Sequence, residues 1–156
     1  HTGGTVVRKM DEAGYRLDVN EQGGVTFAVA GPGGAARVAG RSAVNDGEWH
    51  HVIAEADRAA ATLTLYVDGA TDGAAEGIGP DVSLANDADL YVGGTPDGAH
   101  LEGDLEFLRM ARGTLADAKT TIEELYEWQF NGPFLRDFTG RAPSGKRDAG
   151  AIEARR

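Results

Sequence analysis

Strict alternation of apolar and polar side chains over residues 62–68 is the feature that most constrains the fold of this chain. Leu63, Leu65 and Val67 point to one side of an extended segment, and the residues between them point to the other. Such alternation is typical of a half-buried antiparallel strand, because successive side chains leave opposite faces of the pleat. A second segment, residues 50–57, precedes it across a short charged crossing. The two segments are predicted to pair as strands of one sheet.

Similar short segments recur about every ten residues, which is the spacing of an antiparallel sandwich or meander. Further strands are predicted at residues 5–9, 15–19, 25–29, 36–39, 90–94 and 105–111, with the odd-numbered residues of 25–29 facing inward, and a turn is predicted at residues 95–98. Residues 70–86 are rich in Gly, Ala and Asp and are predicted to form a long surface loop with one short strand at 82–84. From the alternation, five side chains are predicted to be largely buried: Tyr15, Trp49, Leu65, Val67 and Phe107.

The period of the apolar residues changes near the C-terminal end. Residues 122, 125, 126 and 130 are apolar, which is helical spacing. A capping box of Thr120 with Glu123, or of Thr121 with Glu124, starts this helix, and residues 131–133 end it. The sequence therefore predicts one short helix over residues 121–130, a domain over 1–133 and an irregular tail over 134–156.

Composition narrows the class of partner. The chain of 156 residues has 15 basic and 25 acidic side chains, a formal net charge of −10. Such a surface repels phosphate backbones, so no nucleic acid partner is expected. The absence of cysteine excludes disulfides and thiolate metal sites, and no apolar run has the length of a membrane span. The start at His1 predicts a cut inside a longer protein, and the first strands of the domain are expected to be missing, disordered or supplied elsewhere.

Two motifs at a defined separation resemble a known family. Residues 49–52 read Trp-His-His-Val and residues 65–69 read Leu-Tyr-Val-Asp-Gly. This pair resembles the signature of laminin-G-like domains in the concanavalin A-like lectin/glucanase superfamily. The resemblance implies an all-β fold, an antiparallel jelly-roll β-sandwich, here with one short C-terminal helix. It does not fix a ligand, since one fold hosts many functions.

The same resemblance implies a class of function. It favours a non-catalytic binding or accessory module of a larger extracytoplasmic protein, whose partner is a polysaccharide or glycan. The expected location is extracellular, on the cell surface or in the periplasm. A structural or adhesive module that contacts another protein is the alternative.

A third hypothesis of function, a glycoside hydrolase, comes from three carboxylates in an alternating pattern. Glu102, Asp104 and Glu106 resemble the E-x-D-x-E motif of lichenase-type β-glucanases in the same superfamily. The resemblance would make Glu102 the nucleophile and Glu106 the acid of a retaining hydrolase. Gly103 departs from that motif, and a turn and helix are expected soon after it. The prediction is that none of these residues is catalytic.

Metal binding has weaker sequence support. His50 and His51 are adjacent and would face opposite ways on a strand, so one metal could not easily bind both. One histidine is expected to form hydrogen bonds within the sheet and the other to be exposed. Lectin-like domains of this fold often bind calcium through loop carboxylates, which suits a hard cation. The candidate calcium ligands are Asp104, Asp87 and Asp89.

Overall fold

The protein is an antiparallel β-sandwich in a computed structural model that describes residues 3–115 and 117. These residues contain eight strands: β1 (Gly4–Met10), β2 (Gly14–Val19), β3 (Gly24–Gly31), β4 (Gly34–Ala43), β5 (Val52–Asp57), β6 (Thr62–Val67), β7 (Ala70–Glu76) and β8 (Tyr91–Val92). They form two sheets, of which the larger has the order β4-β3-β2-β1-β8 and the smaller has the order β5-β6-β7. The predicted sandwich of antiparallel sheets is confirmed.

The core lies between the inner faces of the two sheets. In the larger sheet, aligned neighbours on four strands form one apolar row: Val7, Leu17, Phe27 and Val38. In the smaller sheet, Leu63 and Leu65 are 1% and 0% exposed. The predicted facing of β6 is therefore right, and so is the burial of Leu65 and Val67. Tyr15 is partly buried and packs against this core.

Strand β7 corrects the sequence prediction of a loop from residue 70 onward. Its composition of Gly and Ala suits close packing where β4 and β7 meet: a Cβ on Gly73 would lie 2.5 Å from the carbonyl oxygen of Ala39. At the same place the buried carboxylate of Asp72 accepts hydrogen bonds from the backbone N–H groups of Arg41 and Ser42, both at 3.0 Å, and from the Ser42 hydroxyl at 2.7 Å. Asp72 therefore ties the two sheets together.

The segment after β7 is ordered by one arginine and one apolar anchor. The guanidinium of Arg58 donates from Nη2 to the carbonyl oxygens of Gly79, Pro80 and Val82. Ile78 is 6% exposed and belongs to the core. The predicted strand at residues 82–84 is absent from the described structure, because this segment bonds to Arg58 rather than to a neighbouring strand.

Three further strand predictions differ in extent or are wrong. The predicted short strand at 36–39 is the ten-residue β4, and the strand predicted at 90–94 is the two-residue β8. Residues 104–115 belong to a second compact unit, and the described part of that unit contains no strand, so the strand predicted at 105–111 is wrong. Alternation is a local pattern, whereas a strand also requires hydrogen bonds to a neighbouring strand.

Two predictions of burial are wrong as well. Trp49 is 61% exposed, because it lies in the connection between β4 and β5, where no strand alternation directs it inward. Phe107 is 41% exposed and lies outside any strand. The predicted helix at 121–130, the domain boundary at 133 and the tail at 134–156 lie outside the described residues. Within them, no helix is long and apolar enough to cross a membrane.

Candidate functional site

The outward face of the larger sheet carries an open groove. Next to the apolar row, the adjacent positions of the same strands point away from the core and form a second row: Arg8, Arg16, Ala28 and Arg37. Cross-strand partners share a face of a sheet, so Arg8 and Arg16 are direct neighbours and Arg37 lies on the same face beyond Ala28. A further row of aligned partners consists of Thr5, Asp18, Thr26 and Ala39.

The groove has a volume of about 350 Å³, near the lower end of small-molecule sites, which span roughly 300–1,000 Å³. Its floor comes from β1 to β4 and one wall comes from the segment before residue 100, which includes Asp97 and Ala99. The N–H of Thr5 donates to the carbonyl oxygen of Ala99 at 3.1 Å and holds that segment against β1. The predicted turn at residues 95–98 is confirmed by the Gly98 N–H donating to the Thr95 carbonyl at 3.0 Å.

Polar contacts inside the groove orient its arginines. Arg16 Nε lies 2.8 Å from Asp18 Oδ2, and Thr5 Oγ1 donates to Asp18 Oδ1 at 3.1 Å. Arg37 Nη2 donates to Thr26 Oγ1 at 3.2 Å. Thr5 and Thr26 are 4% and 3% exposed and these contacts engage their hydroxyls, so the lining offers mainly guanidinium and carboxylate groups, which can bind an anionic or hydroxyl-rich ligand.

A second polar constellation joins the two motifs that carry the family resemblance. His50 Nδ1 lies 2.7 Å from Asp68 Oδ2, and His50 Nε2 lies 3.0 Å from Asp46 Oδ1. The other oxygen of Asp68 accepts the backbone N–H of His51 at 2.8 Å. His50 thus forms hydrogen bonds, as predicted for one histidine, but it lies in the connection before β5 and not within the sheet. His51 is half-buried rather than exposed, because it directly precedes β5.

The bridging position explains the electrostatics of His50. A neutral imidazole has only one N–H, so donation to both carboxylates requires the protonated ring. The hydrogen bond to Asp68, and to a smaller extent the one to Asp46, raises the pKa of His50 above its ordinary value of 6.5. The pKa of Asp46 is lowered from 3.8, mainly because the backbone N–H of Glu48 donates to it, and further because of His50. This arrangement is a structural clasp between the strand connection and the end of β6.

A pH dependence of stability follows with a definite sign. Because the folded-state pKa of His50 is raised, its contribution is fully present below pH 6.5 and is lost as the pH rises through the raised pKa. The Asp46 contribution is present above pH 3.8 and is lost as the pH falls through its lowered pKa. Urea unfolding should therefore show that His50→Ala destabilises the chain more at pH 5.5 than at pH 9. The difference between the two pH values should shrink in an Asp68→Asn background, and equal destabilisation at both would contradict the clasp.

The candidate calcium ligands fall in two different parts of the chain. Asp87 and Asp89 are exposed in the segment between β7 and β8, and Asp104 is exposed in the second compact unit. Among the residues that the structure describes, no three acidic or histidine side chains converge as a metal site. Calcium binding by these residues stays a prediction from the resemblance.

The three alternating carboxylates do not have the strand geometry that the β-glucanase motif requires. Glu102, Asp104 and Glu106 lie in bends and irregular backbone, so the predicted alternation on one strand face is wrong. Their catalytic inactivity stays a prediction.

The groove was not predicted from the sequence, although the sequence indicates which way its arginines point. Each of Arg8, Arg16 and Arg37 is next in sequence to an apolar residue that faces the core. Because neighbours on a strand face opposite sides, the three arginines were predictable as outward-facing. Their proximity was not, because it depends on the register of four strands.

The sandwich, its two antiparallel sheets and its open face define a lectin-like β-sandwich domain. A laminin G family model of the concanavalin A-like lectin/glucanases superfamily matches residues 1–119. The chain belongs to this superfamily.

Several solved structures are similar in fold. The binding domain of Paraclostridial Mosquitocidal Protein 1 matches with a TM-score of 0.54 and 15% identity, over 88% of this chain and 34% of that chain. The CBM40 domain of the Ruminococcus gnavus IT-sialidase matches with a TM-score of 0.46 and 15% identity, over 65% of this chain and 60% of that chain. Domains LG4-5 of the mouse laminin alpha1 chain match with a TM-score of 0.46 and 22% identity, over 65% of this chain and 30% of that chain.

Proposed function

We propose that this chain is a non-catalytic carbohydrate-binding module of a larger extracytoplasmic protein. The observation that carries the proposal is the open groove of about 350 Å³ on the outward face of the larger sheet, lined by hydroxyl, carboxylate and guanidinium groups. Concave sites with a few convergent polar groups are where small ligands bind, and sugars present the hydroxyl groups that such side chains bond. Membership of a lectin/glucanases superfamily supports the same reading.

A glycan array probed with the whole chain tests this function. Binding to a defined set of glycans is expected. The array is probed with added calcium and again with EDTA, so that the calcium prediction is tested in the same experiment. Ala99→Trp should abolish binding, because Ala99 lines the groove and a tryptophan side chain at this position would occupy the space of the ligand. Ala35→Trp is the matched control, since Ala35 is exposed on β4 and lies outside the lining. A blank array under both conditions would contradict the carbohydrate-binding function.

A structural or adhesive module is the second candidate, and one observation favours it. Trp49 is 61% exposed, and Trp is enriched at the centres of protein interfaces. A protein array in parallel separates the two functions. Binding that is lost in Trp49→Ala and kept in Ala99→Trp would favour the adhesive module.

A further inference from the structure

Arg8, Arg16 and Arg37, here called the arginine row, place positive charge together on a chain that is acidic overall. Arg8 and Arg16 are direct cross-strand partners of β1 and β2, and Arg37 continues the row beyond Ala28. Like charges opposite each other on a sheet are destabilising. The chain has an excess of acidic residues that leaves a net charge of −10, and yet this row combines three arginines. A local arrangement that costs stability is typical of a functional site.

The carboxylates in the groove neutralise this row only in part. Asp18 pairs with Arg16 at 2.8 Å, while the Arg8 to Asp97 distance is 3.8 Å and the Asp97 side chain is 72% exposed. An exposed pair of this kind contributes little and can be replaced by another carboxylate. Arg37 contacts the neutral hydroxyl of Thr26, and within the described chain no ion pair includes it. Three arginines against two aspartates leave one net positive charge in the lining.

The size and the surroundings of the groove narrow the class of anion. A polyanion such as a nucleic acid would meet the field of a chain with net charge −10 over most of its length. A groove of about 350 Å³ accommodates a small ligand with one acidic group. Guanidinium groups bond a planar carboxylate with two parallel N–H donors, and the hydroxyls of Thr5 and Thr26 lie beside them.

We propose that the groove binds an acidic sugar, with its carboxylate on the arginine row and its ring hydroxyls on the neighbouring aspartate side chains. This inference rests on the carbohydrate-binding function and specifies the ligand class. Arg37 is the principal determinant of the preference for acid, because its guanidinium carries no carboxylate partner within the described residues.

The test compares sugars that differ only in the acidic group. The whole chain, labelled with ¹⁵N, is titrated in 150 mM NaCl, a level that screens exposed charges (Debye length about 8 Å), with D-glucuronate against D-glucose, and with D-galacturonate against D-galactose. Amide signals of β1 to β4 and the arginine Nε–H signals are followed. The acidic sugars are expected to bind about tenfold more tightly than their neutral partners, which corresponds to about 1.4 kcal/mol.

Variants on one strand make the test specific. Arg37→Ala should weaken binding of glucuronate about tenfold more than it weakens binding of glucose, and Arg37→Lys should fall between, because it keeps the charge and loses the planar fork. Arg41→Ala is the matched control: Arg41 is exposed on β4, carries the same charge and lies outside the lining. Dispersed spectra of all variants establish that they fold.

Any of the following results would overturn the acidic-sugar inference. Equal affinity for acidic and neutral sugars, or equal losses in Arg37→Ala and Arg41→Ala, would remove the role of the arginine row but leave a carbohydrate-binding module standing if the glycan array is positive. Sodium sulfate or inorganic phosphate that binds as tightly as glucuronate and displaces it would show a simple anion site. No signal shift with either acidic sugar would exclude the groove as the acidic-sugar site, and the array would decide separately whether glycans bind at all.

Discussion

Replacing Leu65 by alanine is expected to lower the free energy of unfolding by about 2–5 kcal/mol. Leu65 is 0% exposed, at the centre of β6. Its cross-strand partners are Ala54 on β5 and Gly73 on β7, so neither neighbouring side chain is large enough to move into the cavity. The variant therefore loses the transfer free energy of the side chain and also keeps part of a cavity, which places the expected loss in the upper half of that range.

Urea unfolding of wild type and variant measures the effect, with Thr62→Ala as the control. Thr62 lies on the same strand and is exposed, so its truncation is expected to change stability by less than about 0.5 kcal/mol. A loss below about 1 kcal/mol for Leu65→Ala would contradict the facing of β6 toward the core.

Replacing Asp72 by alanine is expected to lower the free energy of unfolding by about 2–4 kcal/mol. The change removes three hydrogen bonds to a charged acceptor, each of which contributes about 1.5–3 kcal/mol in general. Arg41 and Ser42 are exposed residues, so water replaces part of what they lose. Asp81→Ala, an exposed carboxylate, is the control and should have little effect. An equal effect of both substitutions would mean that Asp72 does not join the sheets.

A double-mutant cycle with Gly40 sharpens this test. A Cβ on Gly40 would lie 2.1 Å from Asp72 Oδ2, so Gly40→Ala should displace the carboxylate and destabilise the chain. In the Asp72→Ala background the same substitution should cost much less, because the atom that it meets is gone. Additive losses would show that the two residues are not coupled.

The composition of β7 shows why part of the fold was not readable from the sequence. Its segment, with Gly, Ala and Asp, has low strand propensity and was predicted as a loop. The small side chains are required because the backbone of β4 approaches Gly73 closely. A segment that is selected for close approach to a neighbour has the same composition as a flexible loop, and only the neighbour distinguishes them.

Trp49 and His50 show the same limit at single residues. The resemblance identified the motif that contains them, but Trp49 is exposed and His50 bridges two carboxylates that are 22 residues apart in the chain, Asp46 and Asp68. The hydrogen-bonding role of a histidine was predictable from its position beside a strand. The identity of its partners was not, because they come from two different turns.

By itself, the sequence determined the antiparallel sandwich, the inward side of β3 and β6, the turn at residues 95–98 and the family. These features depend on the period of two along one strand, or on short motifs, and such signals are local. Only the tertiary structure decided which outward residues meet. The groove exists because the register of β1 to β4 aligns Arg8, Arg16 and Arg37, and pairing between strands is a long-range property that no local pattern encodes.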